Sequence, residues 1–175
     1  MSVCCHFTVL LLCFFLSGSP ELHTYEQPRN PVLKAERIES FARYIQWPEE
    51  TAAPGPFIIK IWNDEYFAEH AKYLFAGRKI KNRQVEISHI TNVDEIFPCN
   101  ILYLGNVKEE HLAALLKVLD RKPILTIGDS VGLANKGLII NFLNEGEKFE
   151  INYPASQKAN LVVSSRLLEV AKVIH

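Results

Sequence analysis

Hydrophobic and polar positions along the chain predict an alternation of helices and strands from residue 31 onward. Apolar residues recur at helical spacing over Pro31–Gln46, after Asn30 as a cap, until Trp47-Pro48 stops them. Runs rich in β-branched and apolar residues predict strands at Phe57–Trp62, Gln84–Ile90, Asn100–Leu104 and Ile124–Ile127. Further helical patterns separate them, at Asp64–Ala76 and Lys108–Leu119.

The last part of the pattern departs from this alternation. Two strand-like runs, Leu138–Leu143 and Lys148–Tyr153, are joined by only four residues, which predicts an antiparallel hairpin. The remaining segment, Ala155–Ile174, is interpreted as a terminal helix. Short apolar strands separated by helices indicate a sheet buried on both faces. We therefore predict an α/β fold with a mixed, largely parallel sheet flanked by helices on both faces, a C-terminal antiparallel hairpin and a terminal helix.

The first twenty residues differ from the rest in composition. The apolar run Phe7–Leu16 is about half of the roughly 20 residues that span a bilayer, which favours a signal peptide over a membrane anchor. No Lys or Arg precedes Arg29, and Pro20 leaves the cleavage site open; a buried N-terminal strand or helix is the alternative. We predict a signal peptide at 1–20, a single domain at 31–175, and export.

Composition limits the classes of partner. Hydrophobic residues make up 48% of the 175 residues and charged residues 22%, as in one ordinary globular domain. The 19 Lys and Arg residues nearly balance the 20 Asp and Glu residues, so no strong field attracts nucleic acid or anionic lipid. We predict neither nucleic acid nor a membrane as a partner of the processed protein.

Three of the four cysteines lie in the predicted leader. Cys99 is the one cysteine that follows the predicted leader, so the domain cannot form an internal disulfide. Its apolar neighbours predict a buried and poorly reactive thiol, and pairing between two chains is the alternative.

One segment matches a catalytic motif, because Gly128-Asp129-Ser130-Val131-Gly132 has the G-x-S-x-G pattern directly after a strand. A serine hydrolase needs a helix immediately behind the serine, and then an acid and a histidine in chain order. No Asp follows Asp129, and the histidine downstream is the terminal His175. A loop in which Asp129 and Ser130 bond to nearby backbone is the favoured interpretation, and hydrolysis is a minor alternative. The spacing of the six histidines and of the glycines predicts no metal and no nucleotide cofactor.

Seven short segments, taken in order, resemble the YfiR family of bacterial periplasmic regulators. The resemblance covers about residues 34–173, most of the predicted domain. Its segments are Phe41-x-x-x-Ile45-x-Trp47-Pro48, Gly77-Arg78-x-Ile80-x-x-Arg83, Cys99–Tyr103, Ile124–Asp129, Lys136–Phe142, Phe149–Asn152 and Leu161–Leu168.

The resemblance implies a periplasmic protein without enzymatic activity, and it implies no cofactor. The named member of the family represses a membrane-bound diguanylate cyclase by holding its periplasmic domain, so a cyclase or another membrane-bound sensor is the expected partner. Many relatives carry a cysteine in the strand that corresponds to Phe57–Trp62, positioned to bridge the equivalent of Cys99. This chain has none there, so redox control through that bridge is not expected.

Two groups of residues are candidate sites. For partner binding we select Trp47 and Pro48 together with the segment Ser164, Ser165 and Arg166, since aromatic and Arg side chains supply much of the energy of protein interfaces; core packing and capping are the alternative roles. A small-molecule sensor is the other function that we keep open. Its pocket would lie at the strand ends near Asp129 and Ser130. A homodimer is compatible with either function.

The leader gives the first testable prediction. We expect the protein to be exported and to lose its apolar N-terminal segment. Sequencing of the mature N-terminus checks this, because a cleaved product begins downstream of Leu16. A cytoplasmic product that still begins at Met1 would contradict export.

Overall fold

A computed structural model describes residues 30–48, 54–105 and 107–175, and the predicted leader lies outside the described residues. The described residues form five α-helices: α1 Pro31–Tyr44, α2 Glu65–Phe75, α3 Glu109–Val118, α4 Tyr153–Lys158 and α5 Ser165–Glu169. They form ten strands: β1 Ile45–Gln46, β2 Phe57–Trp62, β3 Lys79–Ile80, β4 Arg83–Ile90, β5 Ile101–Leu104, β6 Leu125–Gly128, β7 Ile140–Leu143, β8 Lys148–Asn152, β9 Val162–Val163 and β10 Lys172–Ile174.

Eight of these strands form the main sheet, in the order β10-β8-β7-β6-β5-β2-β4-β3. Pairing is parallel from β4 through β2, β5 and β6 to β7, and again between β8 and β10. The pairs β7–β8 and β3–β4 are antiparallel. The mixed, largely parallel sheet and the predicted hairpin are therefore confirmed.

Alternation along the central strands buries both faces of the sheet. In β5, Ile101 and Tyr103 belong to a core cluster that also includes buried residues of α1 and α2. Leu102 and Leu104 point to the opposite face and join a second cluster with Leu112 of α3 and its neighbours. Helices thus cover both faces, as the continuous apolar strands predicted.

Side-chain caps fix where two of the helices begin. Asn30 Oδ1 accepts a hydrogen bond from the Leu33 N–H at 3.0 Å, and Pro31 occupies the first turn of α1. Asp64 Oδ1 accepts from the Phe67 N–H at 3.0 Å at the start of α2. Helix α1 ends two residues before the predicted limit, since Ile45 turns to an extended conformation.

The C-terminal segment differs from the single terminal helix that the pattern predicted. Residues 155–174 contain the end of α4, then β9, α5 and β10. Asn160 adopts a positive φ of 55° just after α4, and the chain then becomes extended. Pairing of β9 with β1 and of β10 with β8 supplies the backbone hydrogen bonds that a continuous helix would have supplied.

A buried ion pair connects α1 to the carboxyl end of the sheet. The Lys34 Nζ lies 2.5 Å from Asp129 Oδ2, and the Lys34 side chain is only 2% exposed. The same carboxylate oxygen accepts a hydrogen bond from the buried Tyr103 hydroxyl at 2.8 Å. Asp129 directly follows β6, an inner strand of the sheet. The pair therefore joins the first turn of α1 to the carboxyl end of that strand.

Loss of Lys34 should be strongly destabilising. Replacement by Met leaves the Asp129 carboxylate without this ammonium partner, which typically costs about 3–5 kcal/mol for a buried pair. Urea unfolding checks this. The matched control is Lys72→Met, which breaks the exposed pair with Glu69 and should cost no more than about 1 kcal/mol.

A second substitution separates the contribution of the charge pair to stability from the contribution of packing. In the Lys34→Met background, Asp129→Asn should restore part of the lost stability, because it removes the uncompensated charge and keeps an acceptor for Tyr103. Equal stability of Lys34→Met and of the double variant Lys34→Met with Asp129→Asn would contradict a stabilising role for the charge pair.

Candidate functional site

A two-stranded ribbon separate from the main sheet brings the two segments selected for partner binding side by side. Strands β1 and β9 pair antiparallel, with Ile45 opposite Val163 and Gln46 opposite Val162. The Ser164 N–H donates to the Tyr44 carbonyl at 3.0 Å and extends the pairing by one residue. Trp47 and Pro48 continue from one strand of this ribbon, and Ser164–Arg166 continue from the other.

Trp47 lies between core and surface. Its ring packs edge-to-face on Phe57, with centroids 5.4 Å apart and planes at 88°, and the residue is half-buried. Its indole N–H is buried and has no hydrogen-bond partner among the described residues. Pro48 is also half-buried. Part of Trp47 therefore belongs to the core, and its role in partner binding stays a prediction.

Ser164, Ser165 and Arg166 open helix α5. Ser164 stands at the cap position, but its hydroxyl makes no capping bond and is buried without a hydrogen-bond partner in the described part of the chain. Ser165 and Arg166 are exposed. The exposed guanidinium of Arg166 is the charged group that this segment presents to solvent.

Exposed apolar side chains lie close to these residues, and the sequence reasoning missed them. Val162 is 61% exposed and Val170 is 70% exposed. Val162 lies opposite exposed Gln46, and cross-strand partners share a face of the ribbon. No period-two signal marks Val162 in the sequence, because Leu161, Val162 and Val163 are all apolar. Only the structure separates exposed Val162 from buried Leu161 and Val163 on either side of it.

We call the exposed set formed by Gln46, Val162, Ser165, Arg166 and Val170 the ribbon surface. Beside it lies a cavity of about 170 Å³ between α1, α5 and β8, to which Arg166 and Val170 also contribute. Arg37 and Tyr44 add polar groups to its lining, and the rings of two core phenylalanines, Phe41 and Phe149, add apolar ones. The ribbon surface thus combines apolar contact with positive charge.

The two residues selected for ligand binding lie at the strand ends, where they bond to the protein itself. The Asp129 carboxylate is 15% exposed and bonds to Lys34 and Tyr103, as described above. The Ser130 hydroxyl donates to the Gly105 carbonyl at 3.3 Å. Gly128 is tightly enclosed, since a Cβ there would lie 2.8 Å from Asn141 Oδ1. Their role in ligand binding stays a prediction.

The segment behind Ser130 forms turns over residues 131–137 and then enters β7, with no helix after the serine. A nucleophile elbow requires that helix. The geometry therefore matches the loop interpretation of the G-x-S-x-G segment.

Cys99 is half-buried, so the expectation of a buried thiol is only partly met. Its Sγ–H donates to the Ile101 carbonyl at 2.9 Å. Burial of the sulfur raises the pKa of the Cys99 thiol to about 12. The neutral thiol therefore prevails near neutral pH, where reactivity depends on thiolate.

No described helix combines the length and apolar character that a bilayer span requires. No cluster of three or more His, Cys, Asp or Glu side chains in the described ranges is arranged to hold a metal ion.

Fold and surface together define a class of protein, an α/β domain with a mixed sheet covered on both faces and an exposed ribbon beside its first helix. The chain belongs to the YfiR/HmsC-like family, whose profile matches residues 31–172. The family is known as regulatory and periplasmic. Comparison with curated proteins gave no match.

Among solved structures, the chain is similar to a protein described as the ABC domain in complex with L-Trp from Streptococcus pneumonia. The TM-score is 0.53 at 10% sequence identity. The similarity covers 82% of this chain and 60% of that one, so the chain spans less than two thirds of the length of that structure. At this identity the likeness concerns the fold alone.

The raised pKa of Cys99 predicts slow labelling. With Cys4, Cys5 and Cys13 replaced by serine, the folded protein should react with a thiol reagent at pH 8 far more slowly than the protein in urea. The pKa of the thiol is about 8.5 in the unfolded chain and about 12 in the folded protein. Ionisation therefore favours the unfolded state, and the contribution of Cys99 should lower stability as the pH rises between these values.

A matched variant isolates this effect. Cys99→Ala should remove that part of the pH dependence, which urea unfolding at pH 7 and pH 10 measures. Equally fast labelling of folded and unfolded protein would contradict the raised pKa, and a disulfide-linked dimer on non-reducing gels would contradict an inert thiol.

Proposed function

We propose that this protein is an exported regulator that binds the periplasmic domain of a membrane-bound signalling protein, with a diguanylate cyclase as the first candidate, and represses it. Membership of the YfiR/HmsC-like family supports the regulatory class and the periplasmic setting. The contact is formed by the ribbon surface together with Trp47 and Pro48. The observation that carries this assignment is the pairing of β1 with β9, which joins two segments over 110 residues apart into one exposed ribbon.

The chemistry of the ribbon surface suits protein binding. Interfaces draw most of their energy from a few aromatic and Arg side chains, which are surrounded by contacts that exclude water. Arg166 is exposed beside Val170 on α5, and Val162 lies on the neighbouring strand. A stable interface buries about 800 Å² per partner, so the ribbon surface forms the centre of a larger contact. A partner with a mixed apolar and acidic surface fits these groups.

Regulation by such a contact requires a difference in affinity. A periplasmic binder changes a cyclase on the other side of the membrane only if it prefers one conformation of the outer domain. A shift from 1:99 to 99:1 requires about a 10⁴-fold preference for the favoured state. No catalytic group on the regulator is needed for this.

Capture from membranes identifies the partner. Tagged protein, incubated with detergent-solubilised membranes of the source organism, should retain a membrane protein that carries a periplasmic domain and a cytoplasmic signalling domain. The isolated periplasmic domain of that protein should then bind in calorimetry with the two purified components alone. Absence of any such partner, or failure of its isolated domain to bind, would contradict the proposal.

Substitutions on the ribbon surface should abolish this binding without unfolding the protein. Val162→Asp and Arg166→Glu alter exposed side chains, so each should leave the melting temperature nearly unchanged and weaken binding by about 2 kcal/mol or more. The matched control is Tyr73→Asp on α2, where the side chain is 83% exposed. Normal binding by both ribbon variants would place the interface elsewhere.

A further inference from the structure

A second cavity, of about 250 Å³, lies at the amino end of β6 and is distinct from the ribbon surface. Ile124 immediately precedes β6 and lines it, whereas Asp129 immediately follows the same strand. The cavity and the buried ion pair therefore lie at opposite ends of β6. The cavity shares no lining residue with the smaller cavity beside the ribbon surface.

Apolar side chains form part of the lining of this cavity. The end of α3 forms one wall and α4 another, and the loop before β7 closes a third side. The apolar side chains that line it are Leu116, Leu119, Ile124, Ile139, Ala155 and Ala159. Its volume is just below the range of about 300–1,000 Å³ found for typical ligand pockets. A small hydrocarbon body fits this space.

Its lining is strongly basic in a protein that is nearly neutral. Four cationic side chains line it, from Arg121, Lys122, Lys136 and Lys158, against the single acidic side chain of Asp120. The formal charge of the lining is therefore +4 − 1 = +3, whereas the whole chain carries −1. This concentration of positive charge favours an anion.

Two of the four cations are already paired and two are not. Lys158 Nζ lies 2.5 Å from Asp120 Oδ1, and Lys136 Nζ lies 2.8 Å from Glu109 Oε1. Arg121 and Lys122 have no carboxylate within 4.0 Å in the described part of the chain, and both are exposed. These two side chains can contribute charge-assisted hydrogen bonds to an anion without breaking an existing pair.

A buried threonine with a hydroxyl group is part of the cavity lining. Thr126 lines the cavity and is 4% exposed. Its Oγ1 accepts a hydrogen bond from the Ile139 N–H at 2.9 Å. A hydroxyl also has one proton to donate, and Thr126 donates to no acceptor among the described residues. That donor is available to an acceptor atom of a bound molecule.

We propose that this cavity binds a small organic anion with an apolar body, such as an aryl or alkyl carboxylate. Arg121 and Lys122 hold the anionic group at the rim, the α3 and α4 side chains enclose the hydrocarbon, and Thr126 donates to an oxygen. This is a ligand site in addition to the ribbon surface, and it does not depend on the identity of the protein partner. It lies at the other end of β6 from the Asp129 and Ser130 position considered in the sequence analysis.

The test uses 3-phenylpropionate as the anionic probe and its uncharged amide as the matched control. Titration of ¹⁵N-labelled protein should give saturable shifts at residues of α3, α4 and the start of β6. The carboxylate should bind at least ten-fold more tightly than the amide, because a charge-assisted hydrogen bond adds more than a neutral one.

Two variants test which cationic side chains bind the carboxylate group of the probe. The double variant Arg121→Gln with Lys122→Gln should weaken binding of the carboxylate at least ten-fold and leave the amide unaffected. Lys117→Gln removes the same kind of charge from α3 outside the cavity and should change neither. Circular dichroism confirms that each variant is folded.

The outcomes are distinct. Saturable shifts at the cavity, preference for the carboxylate and loss in the double variant support the site. No saturable binding up to millimolar probe, equal affinity for acid and amide, or shifts confined to Phe41, Phe149 and their neighbours would overturn it. None of these results depends on capture of a membrane partner, so the two proposals fail separately.

Discussion

The buried contact between Lys34 and Asp129 anchors the first turn of helix α1, whose apolar side chains pack on the sheet. A lysine that is 2% exposed is tolerated only when its charge is paired, and the pair fixes the first turn of the helix at the end of β6. Helix α1 then runs to Tyr44, where the chain becomes β1 without an intervening loop. Because β9 pairs with β1, the position of the ribbon surface depends on the position of α1.

Strong local patterns made the central fold predictable. The continuous apolar run Ile101–Leu104 is buried on both faces, and a strand with this pattern is typical of a parallel sheet between helices. The four-residue connection after β7 likewise required an antiparallel neighbour, which β8 supplies. In these places local propensity and tertiary packing agree.

The C-terminal segment could not be predicted in the same way, because its structure depends on distant partners. Val162–Val163 forms only two residues of strand, and it exists because Ile45–Gln46 lies beside it. Lys34 gave no signal either, since an isolated lysine in a helical pattern reads as solvent-exposed until the sheet brings Asp129 to it. The basic cavity combines residues of α3, the loop before β7 and α4, which no single sequence window contains.

The two candidate sites differ in how much of each could be recognised from the sequence. Arg166 and Trp47 were recognisable by residue type, and the structure adds the exposed side chains of Val162 on β9 and Val170 at the end of α5. Asp129 and Ser130 were recognisable by motif, but their polar atoms bond to Lys34, Tyr103 and Gly105. The motif therefore coincides with an interaction that holds the fold together.

Site-specific photo-crosslinking tests the central claim, that the ribbon surface contacts a membrane-bound signalling protein, most directly. A benzoylphenylalanine placed at exposed Gln46 on β1 is compared with the same group at Tyr73 on α2 in intact cells. We expect a crosslink from position 46 to the periplasmic domain of one membrane signalling protein, and none from position 73. A crosslink from position 73 alone, or from neither position, would contradict it.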